Sequence, residues 1–265
     1  MKIKIFTYVL ISFLFFESCK SLRIKNEPIK TEKDISKNSS FSCTIPYFKS
    51  GQIVSHSYYN LQYAEEHEQA YWVSYKLTPN FLIKNATRKN NFKPDSKITT
   101  GSATLGDYKG SGFDRGHLAP AGSMVFNQKA MDESFYMSNM SPQNPSFNRG
   151  VWKRLESKVR YWAKNCDSLF VATGPVLKDL KKTIGENKVS VPNSYYKVLV
   201  RFDNKGIDGI AFLLKNTASK EPLNTFAVPI DSIEAITNID FNSEWDTPIQ
   251  NKIEKEIELS NWLFD

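Results

Sequence analysis

The chain has 265 residues, 40% of them apolar and 18 of them phenylalanine, enough to bury a sizeable core in one large domain or two small ones. Three cysteines and three histidines, with no Cys-x-x-Cys pair, argue against a structural zinc module or a small disulfide scaffold. The formal charge of +7 points to an anionic partner only until it is partitioned: residues 1–40 hold eight Lys/Arg and four Asp/Glu, which leaves +3 for residues 41–265.

Lys2 and Lys4 precede an apolar run from Ile5 to Phe16, too short to span a bilayer comfortably and laid out as an export signal. Ser18-Cys19 directly after it resembles the lipobox of bacterial lipoproteins, although Phe16-Glu17 stands where Leu and a small residue are usual. That resemblance implies a lipidated Cys19 holding the protein to a bacterial membrane, on the periplasmic side or the cell surface; an ordinary cleaved signal with secretion is the alternative. We therefore divide the chain into a signal with lipobox (1–19), a polar, aperiodic tether (20–41) and one folded domain (42–265). With Cys19 lipidated, Cys43 and Cys166 remain as either a disulfide or two buried thiols.

Within the domain, aromatic and β-branched runs bounded by Gly, Pro, Asn and Asp predict strands at Ala70–Tyr75, Phe135–Met137, Ser168–Ala172, Tyr195–Val200 and Ile210–Leu214. Val151, Trp152, Leu155, Val159 and Trp162 form one helical stripe and predict a helix over Asn148–Lys164; a shorter one is expected over Asp231–Thr237. Strands that do not alternate strictly with helices indicate an α+β fold.

On a regular helix Glu156 falls roughly 80° round from Asn148, and Arg160 lies one turn below Glu156. Lys153, Arg154, Lys158 and Lys164 add positive charge; alone, such a run is an ordinary solvated face. Asp114-Arg115-Gly116-His117 changes that weighing, because it presents an imidazole beside a guanidinium, and imidazole is the side chain best matched to proton transfer near neutral pH. His56 and His67 have no comparable neighbours and read as structural.

Three linked segments carry a specific resemblance: Tyr108-Lys109-Gly110-Ser111-Gly112-Phe113-Asp114-Arg115-Gly116-His117-Leu118-Ala119-Pro120, then Asp132 to Gln143, then Phe147-Asn148-Arg149-Gly150-Val151-Trp152-Lys153-Arg154-Leu155-Glu156. In order and spacing they resemble the endonuclease G-like DNA/RNA non-specific endonucleases of the ββα-metal, or His-Me finger, superfamily, over residues 55–265. The resemblance implies a mainly antiparallel sheet bearing a ββα-metal motif, and a metal-dependent endonuclease that cuts DNA and RNA to leave 5′-phosphate ends. It implies His117 as general base, Asn148 as direct ligand of one Mg²⁺ that Mn²⁺ can replace, and Glu156 holding that ion's waters. Arg115 and Arg160 then face the phosphate, Asn139 supports the site, Asp114 fixes the loop that carries His117, and Arg88 is a further phosphate binder or a surface residue. DNA and RNA are the expected partners, read through phosphate rather than base; no obligate protein partner is evident. The alternatives are a catalytically silent nucleic-acid-binding envelope lipoprotein on the same fold, or a phosphodiesterase for small phosphate esters.

Overall fold

The computed structural model describes residues 46–264, so Cys19, the expected tether, both expected boundaries and Cys43 lie outside the described residues. In chain order its strands are β1 (Gln52–Ser55), β2 (Asn60–Ala64), β3 (Gln69–Leu77), β4 (Asp114–His117), β5 (Met140–Gln143), β6 (Ser168–Pro175), β7 (Thr183–Ile184), β8 (Val189–Ser190), β9 (Ser194–Asp203), β10 (Gly206–Lys215) and β11 (Ala227–Val228). Seven of them form one antiparallel sheet in the order β1-β2-β3-β6-β9-β10-β11, while β4-β5 and β7-β8 pair separately. The fold is α+β, and four of the five expected strands lie inside β3, β6, β9 and β10.

Phe135–Met137 is not a strand. Tyr136 makes only an isolated bridge to Lys93, and the chain then closes into a 3₁₀ turn over Met137–Asn139. Phe135 and Met137 are apolar because they are buried in two small side clusters, which mimics the composition of a paired strand.

The short helices α1 (Leu105–Tyr108) and α2 (Gln128–Glu133) precede the segment that departs most from expectation. Instead of one helix from Asn148, Asn144 caps a single turn α3 (Pro145–Phe147), and a widened π turn covers Asn148–Trp152. Helix α4 (Lys153–Lys164) follows. Gly150 is the break, with φ −105° and ψ −111°, far from helical values. Asn148 is thus swung off the regular helix that carries Glu156 and Arg160, and the angular offset read from a straight helix does not apply. The expected stripe survives the break: Val151, Trp152, Leu155, Val159 and Trp162 are all buried.

That stripe packs α4 across the sheet. Phe147 and Trp152 lie against Tyr195 of β9 at 5.4 and 5.8 Å between ring centroids, and Trp162 stacks on Phe212 of β10 at 5.8 Å. Helices α5 (Ile230–Thr237), which starts after Pro229 rather than at a side-chain cap, and α6 (Thr247–Glu254) complete the regular elements. Among the described residues no helix is long and apolar enough to cross a membrane.

The sheet order positions everything else. β3 and β6 are hydrogen-bonded neighbours, yet residues 78–167 run between them, so that one excursion carries β4, β5 and α4 over the sheet. Gly116 lets β4 and β5 approach there, since a Cβ at that position would overlap the Gln143 side chain. Gly116→Ala should therefore cost about 1–3 kcal/mol in a denaturant melt, and Gln143→Ala in the same chain should return part of it. A neutral Gly116→Ala would show that β4 can move away freely.

Candidate active site

Arg88, Arg115, His117, Asn148, Glu156 and Arg160 line one groove of about 520 Å³, together with Phe92, Asp114, Gly122, Arg149 and Lys153. Seven of the eight residues singled out from the sequence, Asp114 among them, thus meet in one place. The eighth, Asn139, is buried and does not line it.

β4 ends at His117, whose backbone pairs with Met140. Asn139 then holds the exit of that strand: its Oδ1 accepts from Ala119 N at 2.8 Å, and its Nδ2 donates to Ala119 O and Ser134 O at 3.0 and 2.8 Å. Fully buried, Asn139 does not line this groove and ties the exit of β4 to the end of α2.

The His117 ring is half-buried, with Phe135 edge-on at 5.0 Å and Phe92 tilted at 5.7 Å. Burial, then the charges of Arg88 and Arg115, push its pKa down to about 3. The imidazole is therefore neutral at ordinary pH, and its Nε2 has no hydrogen-bond partner among the described residues. The two arginines rest on the same aromatic shelf, Arg115 over Phe92 at 4.4 Å and Arg88 over Phe135 at 5.3 Å. Arg88 is exposed and lines the groove.

Across the groove, Asp114 Oδ2 accepts from Asn148 Nδ2 at 2.9 Å and from Arg149 Nε at 2.9 Å, while Oδ1 accepts from Arg149 Nη2 at 2.6 Å. Burial raises the Asp114 pKa, but these bonds and the charges of Arg149 and Arg115 outweigh it and hold the carboxyl below its usual range. With the nitrogen of Asn148 committed to Asp114, its amide oxygen is the atom left to the groove. Arg160 donates from Nη2 to Ser157 Oγ at 3.0 Å and passes beside Gly122 on the same wall.

Glu156 is half-buried among Lys197, Arg160, Arg88 and Lys153. Lys197 was not foreseen. It is fully buried on β9, its Nζ lies 4.7 Å from the Trp152 ring and has no hydrogen-bond partner among the described residues, and Glu156 is one helical step beyond that ring. Burial pulls Lys197 down to about 8 and pushes Glu156 up, each opposed by the other's charge. The one signal in the sequence was a lysine inside the apolar run Tyr195-Tyr196-Lys197-Val198-Leu199-Val200. The other two histidines are structural: His56 bonds Asp95 at 2.9 Å and stacks on Tyr136, and His67 bonds Ser190 at 3.0 Å.

The chain as a whole has known counterparts. A family model described as DNA/RNA non-specific endonuclease matches residues 37–247. This chain belongs to that family. It is 37% identical over 205 residues to human mitochondrial endonuclease G, covering 72% of this chain and 69% of that one. It is also 37% identical over 206 residues to nuclease C1 of Cunninghamella echinulata, covering 71% and 81%. A nuclease of Nostoc sp. is 33% identical over 215 residues, covering 76% of each. The solved structure of an EndoG/EndoGI complex superposes with a TM-score of 0.71 at 32% identity, covering 79% of this chain and 93% of that one. The endonuclease family is one of metal-dependent nucleases, and the antiparallel β4-β5 pair followed by α4 is its ββα unit in this chain.

Removing the buried ammonium should be readable at its neighbour. In Lys197→Met the Glu156 carboxyl, followed by ¹³C NMR titration, should move further up in pKa, because desolvation is then unopposed by the largest nearby positive charge. An unchanged midpoint would mean that the two groups do not sense each other.

Proposed function

We propose that this family member is an exported, Mg²⁺-dependent endonuclease that hydrolyses phosphodiester bonds of DNA and RNA and leaves 5′-phosphate ends. The observation that carries this reading is the opening of a neutral imidazole, His117, and a pre-oriented carboxamide, Asn148, onto the same cation-lined groove.

The residues fit a hydrated divalent cation. Asn148 offers a carboxamide oxygen, Glu156 offers a carboxylate, and no soft sulfur or second imidazole lines the groove. Asn148 would be the direct ligand, and Glu156 would order the waters around the ion, with Mn²⁺ as a substitute for Mg²⁺. When bound, the ion would polarise a phosphoryl oxygen and stabilise the departing 3′ oxygen.

His117 takes a proton from water, and the water oxygen forms its bond to phosphorus as the bond to the 3′ oxygen breaks, leaving a 5′-phosphate and a 3′-hydroxyl protonated by solvent. Arg115 and Arg160 present paired N–H donors to the charge gathering on the phosphate, and Arg88 adds a third cation. A pKa of about 3 makes His117 a weak base in the free protein, but an arriving phosphate cancels part of the Arg88 and Arg115 field that depresses it. Asn139 keeps the strand exit rigid while this happens. Contacts to phosphate and sugar carry no sequence information, which fits cleavage of both nucleic acids with little base preference.

Cys19 after the short apolar run supports export and lipid anchoring. Labelled palmitate should enter the wild-type chain in a bacterial host and not Cys19→Ala; equal labelling would remove the anchor.

His117→Ala should lower turnover about 10²- to 10⁴-fold with the fold retained, and an active variant would remove His117 from its role. Asn148→Ala should shift the Mg²⁺ concentration needed for plasmid cleavage sharply upward, and EDTA should abolish cleavage by the wild type. Because the free imidazole is already neutral above about 3, kcat/KM should show no His117 limb near the ordinary value of 6.5. A loss of rate centred at that value would contradict the buried, arginine-flanked setting.

A further inference from the structure

The active-site groove does not end at Arg149 and Lys153. Both residues also line a second, larger hollow of about 920 Å³ on the outer face of α4, closed on its far side by Lys220 and Leu223 of the segment before β11. Five of its ten lining residues are cationic and none is acidic. Tyr161 lies in it 42% exposed, an unusual position for a ring in a chain that buries most of its tyrosines, and Lys158 sits 4.7 Å from the centre of that ring. Arg154 pins the opposite wall by donating to the backbone oxygens of Ser219 and Glu221 at 3.3 and 2.9 Å. Arg154 thus ties the segment carrying Lys220 to α4, which fixes the two sides of this shallow hollow relative to each other.

A positive trough with an exposed aromatic platform is the arrangement that holds single-stranded nucleic acid: the cations track the backbone and the ring stacks a base. The geometry points to a subsite for the single strand next to the scissile phosphate, with Lys153 and Arg149 as the shared border, Lys158 and Lys220 on backbone phosphates and Tyr161 under a splayed base. The inference rests on the nuclease reading of the neighbouring groove. It turns the cation run of α4, which as sequence is an ordinary solvated face, into part of the substrate path. A duplex keeps its bases paired and has none to lay on Tyr161, so the subsite favours single strands.

The test uses the full-length protein in EDTA, where nothing is cut, with fluorescence anisotropy of a long oligothymidylate, a thymidine trinucleotide and a blunt duplex. Lys158→Glu with Lys220→Glu should weaken the long strand on the order of tenfold and flatten the plot of log affinity against log salt by about 0.7 per lysine. Tyr161→Ala should weaken the long strand on the order of tenfold, Tyr161→Phe should restore it, and the duplex should change far less. The trinucleotide, held at the catalytic groove, should lose least of all. Unchanged affinity for the long strand, or equal losses for strand, duplex and trinucleotide, would overturn the subsite. The two readings fail separately: wild-type protein that cuts neither DNA nor RNA with Mg²⁺, while these variants still lose the strand, sinks the proposed chemistry alone. Wild-type cleavage beside variants that bind as tightly as it does sinks the subsite alone.

Discussion

The carboxylate of Asp114 joins the two halves of the site. It belongs to the strand that ends at His117, and it receives hydrogen bonds from Asn148 and Arg149, 34 and 35 residues further along. Arg149 is largely exposed, so its ion pair with Asp114 adds little to stability by itself. The bond from Asn148 is different in kind, because it orients an amide whose two ends are otherwise interchangeable. Once Nδ2 is given to Asp114, the oxygen is presented to the groove, and the spacing between a candidate base and a candidate ligand follows from one strand and one turn. The same carboxylate stays ionised because its donors outweigh its burial.

What the clamp aligns rests on an apolar floor. Phe147, Trp152 and Tyr195 pack as stacked and tilted rings against the π turn, and Lys197 rises from the sheet beside them with its ammonium against the Trp152 ring. A fully buried ammonium without a hydrogen bond is costly. It is tolerated here because Glu156, one helical step beyond Trp152, faces desolvation with the opposite charge. The sheet thus contributes directly to the electrostatics of a groove that lies above it, through a single inward side chain on β9.

The residues that line the groove were largely legible in the sequence, since Arg115, His117, Asn148 and Glu156 occupy short linked motifs and Arg160 follows Glu156 by one turn of α4. Four strands were legible for the same reason that they are buried: β3, β6, β9 and β10 are runs of aromatic and aliphatic residues. Phe135–Met137 misled because side-chain burial in a turn produces the composition of a strand. Gly150 misled in the other direction. The apolar stripe continues through it, since the π turn returns Val151 and Trp152 to the buried side, and periodicity carries no trace of the break. Lys197 was hidden because its significance depends on a helix distant in sequence, and Asn139 was legible as a site residue but not as one that works entirely through backbone amides.

The distribution of charge reconciles a nearly neutral domain with a polyanionic substrate. A surplus of +3 over residues 41–265 is too small to draw in nucleic acid through the overall field. The two adjoining hollows nevertheless hold Arg88, Arg115, Arg149, Lys153, Arg154, Lys158, Arg160 and Lys220 against only Asp114 and Glu156. Asp114 is engaged with Arg149, and Glu156 is faced by Lys197 from below as well as by Arg160, Arg88 and Lys153, so the two acids offset only part of the lining charge. The positive charge is therefore gathered locally, in two hollows that share Arg149 and Lys153 as a border. Charge gathered in this way attracts a polyanion locally, and it explains why the overall isoelectric point is a poor guide to what this protein binds.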